Sequence, residues 1–226
     1  MLTPRSPRLL MAVLLLSSLA GSSCSTEDTV EGEGQFQVDV WADNWFSLSL
    51  GETLVGEDSV PITTERSFNK ESFRFDGTYP LVLNFTVKDY METDSGLEYI
   101  GTDKQQLGDG GFIAQVTDTT SGAVIAVTNA DWSCLVIHRA PTNIECEDSA
   151  SPETECLSEI TAEPSGWMGA DYDFSAWPAA IEYTETEVGA KEGYTEVSWD
   201  ANAKLIWSES LKQDNTLLCK LIVQGP

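Results

Sequence analysis

The stretch Gln35–Val55, QFQVDVWADNWFSLSLGETLV, decides the fold class. Phe36, Val38 and Val40 alternate with Gln37 and Asp39, the period-two pattern of a strand with one face turned inward. Asp43 and Asn44 interrupt it. Phe46, Leu48 and Leu50 then resume the inward face and leave Trp45, Ser47 and Ser49 on the outer one. Gly51-Glu52 fits a two-residue hairpin loop of type II′, in which glycine takes the positive φ of the first position, and Leu54-Val55 begins the return strand.

The same pattern continues downstream. Tyr79, Leu81, Leu83, Phe85 and Val87 make a second strand, and Gly108–Gly111 reads as a loop. Phe112–Val116 and Ala123–Thr128 flank a Ser121-Gly122 turn. Lys204–Trp207 and Leu217–Val223 are apolar on both faces, as expected of strands central to a sandwich core. No stretch of about 12 residues carries a helical period. The 226 residues, 41% hydrophobic, suffice for one domain with a real core. The expected fold is all-β, a single two-sheet sandwich or jelly roll.

Upstream, residues 1–24 combine Arg5 and Arg8, the apolar run Leu9–Leu16 and the small residues Ala20–Ser23, the layout of a secretory signal peptide. Its apolar run falls short of the roughly 20 residues a membrane span needs. Cys24 stands where a bacterial lipoprotein signal places the cysteine that is lipidated after cleavage, although Gly21 replaces the usual Leu. Ordinary cleavage after Ala20 or Ser22 is the alternative. Residues 25–34 are acidic, small and glycine-containing, a flexible tether, and residues 35–226 form the domain. The expected location is outside the cytoplasm, as an outer-membrane or cell-surface lipoprotein, or else periplasmic or secreted. Contact with a membrane is expected only through the lipid.

Beyond Cys24, the cysteines Cys134, Cys146, Cys156 and Cys219 are even in number, as befits an oxidising compartment, and allow three pairings. The preferred one joins Cys146 to Cys156 across a short acidic loop and Cys134 to Cys219 between two strand-like segments. The alternative is free core thiols. With 37 acidic side chains against 12 basic ones, the net charge of −25 excludes nucleic acid as a partner, since its phosphates would be repelled. The single histidine excludes any site that needs two imidazoles.

Several motifs together resemble the galactose-binding-like jelly-roll domains attached to many bacterial glycoside hydrolases. VDVWADNWFSLSLGETLVGEDS (Val38–Ser59) resembles their strand-hairpin signature, with Ala42, Asp43 and Asn44 matching and Gly51-Glu52 in place of Asn-Gly. GGFIAQVTD (Gly110–Asp118), VTNADW (Val127–Trp132), PSGWMGADYDFSAWPAA (Pro164–Ala180) and AKLIWSES (Ala203–Ser210) follow in the family's order. The resemblance implies an accessory module that binds carbohydrate or packs against a catalytic partner. Fold alone does not fix which.

The candidate chemistry is sparse. Trp132, Trp177 and Trp207 lie inside the family-like motifs and are expected in the core. Trp45, on the polar face of its strand, and Trp167 and Tyr172, in a glycine-rich loop, are the candidate sugar-stacking residues. Asp171 and Asp173 could offer two carboxylates to a structural calcium from one loop, and Asp103 with Asp109 more loosely so. His138 reads as a strand-end hydrogen-bonding residue, or as part of a soft-metal site with Cys134. No nucleophile elbow, zinc helix, phosphate loop or dinucleotide fingerprint is present. The sequence therefore leads to a non-catalytic exported module that binds extracellular carbohydrate. The alternatives are a cell-envelope scaffold with an exported protein partner, or an extracellular metal-binding protein.

Overall fold

A computed structural model describes Met1, residues 33–63 and residues 68–225; the expected signal, Cys24 and nearly all of the tether lie outside the described residues. With strands numbered along the chain, two large antiparallel sheets make up the fold. The first runs β12 (Ile181–Tyr183), β13 (Leu205–Trp207), β8 (Gly111–Asp118), β1 (Glu33–Asp43) and β4 (Lys70–Thr78), and β9 (Val124–Val127) also pairs with β8. The second runs β11 (Glu159–Ile160), β10 (Ser133–Arg139), β14 (Asp214–Val223), β5 (Leu81–Lys88), β2 (Trp45–Leu50) and β3 (Thr53–Glu57). A small hairpin, β6 (Leu97–Glu98) and β7 (Gln106–Leu107), two helices of one turn, α1 (Pro152–Glu155) and α2 (Glu185–Val188), and two short 3-10 helices (Ile144–Asp148 and Tyr194–Glu196) complete the described elements. Among the described residues no helix is long and apolar enough to cross a membrane.

The interruption at Asp43-Asn44 is the point at which the chain leaves the first sheet for the second. β1 ends at Asp43, and the Asn44 N–H donates to the Lys88 carbonyl (3.0 Å), which carries β2 onto β5. The β2–β3 hairpin closes with Leu50 opposite Thr53, and Gly51 adopts φ +54°, as its loop requires. Both sheets turn their alternating apolar residues toward one shared core. Phe36, Val38, Val40 and Phe112 from the first sheet meet Phe46, Leu48, Phe85 and Leu217 from the second. The rings of Phe85 and Phe112 pack 5.3 Å apart across the interface. Each such side chain contributes roughly 1.5–3 kcal/mol through burial.

Neither outer face is left bare. Trp41 and Ile113, on the outer face of the first sheet beside Leu205 of β13, are covered by Phe68 and Val188. Ile137 and Leu218, on the outer face of the second, are covered by Trp167 and Trp177 from the segment 164–180. The strand β14, apolar on both faces, sits between β10 and β5, and Trp132, Trp177 and Trp207 are buried. Two disulfides close the structure. Cys134–Cys219 joins directly opposed residues of β10 and β14, and Cys146–Cys156 ties α1 to the preceding turn. With Cys134 oxidised in this bridge, the soft-metal pairing of Cys134 and His138 loses its thiol and falls away.

Candidate metal centre

One end of the two sheets gathers four carboxylates from four parts of the chain. Asp43 ends β1, Asp89 follows β5, Glu98 lies in β6, and Asp109 sits in the loop that enters β8. Strand pairing brings them together. Asp43 stands opposite Gly111, the Asp89 N–H donates to the Asn215 carbonyl (2.9 Å), and the Gly110 N–H donates to the Leu211 carbonyl (3.0 Å). Glu98 is held by its hairpin partner Gln106, whose side-chain amide donates to Glu98 Oε2 (2.8 Å). Gly108 is required by the site itself, because a Cβ there would fall 1.8 Å from Asp89 Oδ2. One oxygen each from Asp89, Glu98 and Asp109 lie within 4.8 Å of one another.

The electrostatics are one-sided. Asp43 and Asp89 are fully buried and Glu98 nearly so. Among the described residues, neither oxygen of Asp43 or of Asp89 has a hydrogen-bond donor, and the buried side-chain amide of Asn215 is likewise without a partner. Burial raises the Asp43 carboxyl well above its ordinary value; Asp109 and Glu98 raise it further, against Lys191. Asp89 is raised in the same way by burial, then by Glu98, Asp43 and Asp109, with the neighbouring Tyr90 backbone N–H pulling it down. Burial also raises Asp109, opposed by the Lys191 ammonium 3.8 Å away. Buried carboxylates without donors are costly when ionised, and close like charges add to that cost. A divalent cation would remove both penalties. The donors are all hard oxygens, with no imidazole or thiolate among them, which matches calcium or magnesium rather than zinc or copper. The residues present therefore fit a metal ion, and the cluster is capable of coordinating one.

The residues singled out in the sequence lie elsewhere. Asp171 and Asp173 are exposed and stand outside this cluster. Asp173 instead accepts the Ser175 N–H (3.0 Å), and its hydrogen bonds with Ser175 lower its pKa. Of the looser pair, Asp109 belongs to the cluster and Asp103 does not. Trp45 is half-buried, with the Lys88 ammonium 5.2 Å from its ring centre. Trp167 is only 3% exposed and packs on Trp177 (6.0 Å), so its ring is not a free stacking face. Tyr172 is half-buried against the same tryptophan (5.8 Å). His138 is buried, its Nε2 lies 3.4 Å from the Asp94 carbonyl, and burial pulls its pKa down.

Sequence reasoning missed Asp43, Asp89 and Glu98 as site residues. The available signal was position: Asp43 breaks β1 where the chain changes sheets, and Asp89 follows the apolar run of β5 directly. In comparisons with known proteins, no family model, no curated protein and no solved structure matches the chain. Fold and site together define an all-β domain of two antiparallel sheets with a buried acidic cluster able to hold a cation.

Proposed function

We propose that this chain is a non-catalytic, exported binding module, a jelly roll of the galactose-binding-like type, stiffened by calcium and taking extracellular carbohydrate as its ligand. The observation that carries this reading is the burial of Asp43, Asp89 and Glu98. Their burial at the ends of strands supports a structural role, in which they can fasten loops around an ion. Calcium suits them better than magnesium, because calcium accepts six to eight oxygen ligands in flexible geometry and magnesium tends to keep its waters. The acids would hold the ion, and the ion would supply only positive charge and a fixed geometry.

The carbohydrate ligand is supported by the five family-like motifs in order and by the abundance of tryptophan and tyrosine. The net charge of −25 disfavours polyanions such as nucleic acid. The exposed aliphatics Ile144, Leu157 and Ile160 support the other reading, a cell-envelope module that binds an exported protein. Native electrophoresis of the purified chain through gels containing neutral and acidic polysaccharides, with calcium or with a chelator, tests the proposal. Retardation by a polysaccharide, weakened by the chelator, is the expected result. Migration unchanged in every gel would overturn the carbohydrate ligand in favour of a protein partner.

A further inference from the structure

A second feature shares no residue with the acid cluster and lies at the edge of the first sheet. Between β12, α2 and the loop that enters β13, an open cleft of about 430 Å³ is walled by Tyr183 and Tyr194, floored by Leu205 and rimmed by Glu185, Thr186 and Lys204. Its size falls within the roughly 300–1,000 Å³ of small-ligand sites. None of the candidate ligand or metal residues read from the sequence lines it.

The walls are held in place before any ligand arrives. The Tyr183 hydroxyl donates to the Ser208 carbonyl (2.7 Å), which fixes that ring at the sheet edge. Tyr194 is packed between Trp41 (5.7 Å, edge-on) and Trp199 (5.9 Å). Gly193 before it has φ +80°, and a Cβ there would strike the Phe68 carbonyl oxygen at 2.4 Å, so the backbone that presents Tyr194 admits only glycine. The Tyr194 hydroxyl donates to Glu185 Oε1 (3.2 Å), which orients the carboxylate on the rim. Among the described residues its other oxygen accepts no hydrogen bond, and Glu185 is exposed. Lys204 is tied to the Ala201 carbonyl (2.8 Å) and keeps two further N–H donors.

Two fixed aromatic rings, one carboxylate acceptor, a threonine hydroxyl and an ammonium donor, all on an open cleft, are the groups that recognise a neutral sugar. The exposed edges of the two half-buried tyrosines would contact the sugar's C–H groups, and its hydroxyls would pair with Glu185, Thr186 and Lys204. An anionic ligand is disfavoured by the net charge of −25. We propose that the cleft between Tyr183 and Tyr194 is a binding site for neutral carbohydrate, with Glu185 as the acceptor that orients its hydroxyls. This rests on the carbohydrate reading above and gives it a place that differs from the Trp45, Trp167 and Tyr172 surface.

The test uses the full chain, with Glu185→Gln and Thr186→Ala as separate variants and Glu153→Gln, the same charge change on α1, as the control. All three residues are exposed, so thermal melting should match the parent and exclude misfolding as a cause. The probes are galactomannan, xylan and laminarin, in gels and in calorimetric titration. The expected result is that a polysaccharide bound by the parent binds about tenfold more weakly to Glu185→Gln, the loss of one charge-assisted hydrogen bond, and unchanged to Glu153→Gln. Binding equal in the parent, Glu185→Gln and Thr186→Ala would overturn the cleft and leave the carbohydrate reading standing. Absence of binding by the parent to any of the three would overturn the cleft as a site for neutral sugar, and retardation by acidic polysaccharides alone would then keep the wider carbohydrate reading.

Discussion

Lys220 is fully buried on the outer face of the second sheet, with no carboxylate among its hydrogen-bond partners. Its ammonium donates to Asn84 Oδ1 (2.9 Å) and to the carbonyls of Trp167 (3.1 Å) and Gly169 (3.1 Å). Asn84 in turn donates to the Met168 carbonyl (3.0 Å), so two polar side chains of the sheet pin the segment that carries Trp167 and Trp177. Replacing Lys220 with Met keeps the volume and strands three buried acceptors. The variant should lose about 1–3 kcal/mol of stability, measured by urea unfolding at pH 7. Burial lowers the Lys220 pKa to about 8 from its ordinary 10.5. Between those values the unfolded chain binds more protons than the folded one, so stability should rise as pH increases through that window. Above about pH 10 the raised tyrosines Tyr183 and Tyr194 oppose the trend. The Lys220→Met variant should lack the rise between pH 8 and 10; an equal rise in both proteins would place the titrating group elsewhere.

At the scale of elements, the two disulfides should differ in worth. Cys134–Cys219 closes a loop of sequence separation 85 and lies in the core between β10 and β14, whereas Cys146–Cys156 spans 10 residues of surface loop. Loop-closure entropy alone gives about 4–5 kcal/mol for the first and about 3 kcal/mol for the second. The paired Cys134→Ala and Cys219→Ala variant should therefore melt well below the paired Cys146→Ala and Cys156→Ala variant, as followed by circular dichroism. Strands and bridges of this kind were legible because alternation and cysteine parity are local signals. The hairpin at Gly51 and the sheet change at Asp43-Asn44 both stand in the sequence as breaks in a period of two. The outer covers were not legible in the same way, since they depend on which distant segment folds back. Yet Trp41 and Ile113 are bulky apolar residues on faces otherwise polar, a sign that those faces are covered. The acid cluster was hidden for a different reason. Its members stand at positions 43, 89, 98 and 109, and 37 acidic residues make any one of them unremarkable until strand pairing brings them together.

For the whole molecule, the cluster draws carboxylates from both sheets and from the β6–β7 hairpin to one end. Asp43 ends β1 of the first sheet and Asp109 sits in the loop before its β8, Asp89 follows β5 of the second sheet, and Glu98 lies in the hairpin between β5 and β8. Without a cation their charges push these parts away from one another, and among the described residues Lys191 is the cation that opposes them. With a divalent cation bound, Asp89, Glu98 and Asp109 would become ligands shared by both sheets, and binding to the folded state alone would add about 2.7 kcal/mol at a hundredfold excess over Kd. Addition of a chelator should therefore lower the melting temperature, and calcium should restore it. Asp89→Asn separates this from a general effect of salt. Removing one buried charge relieves repulsion, so the chelated variant should melt at or above the chelated parent, while calcium should raise its melting temperature little or not at all. A variant that melts lower than the chelated parent and still responds fully to calcium would show that Asp89 is a packing residue and that the ion, if bound, sits elsewhere.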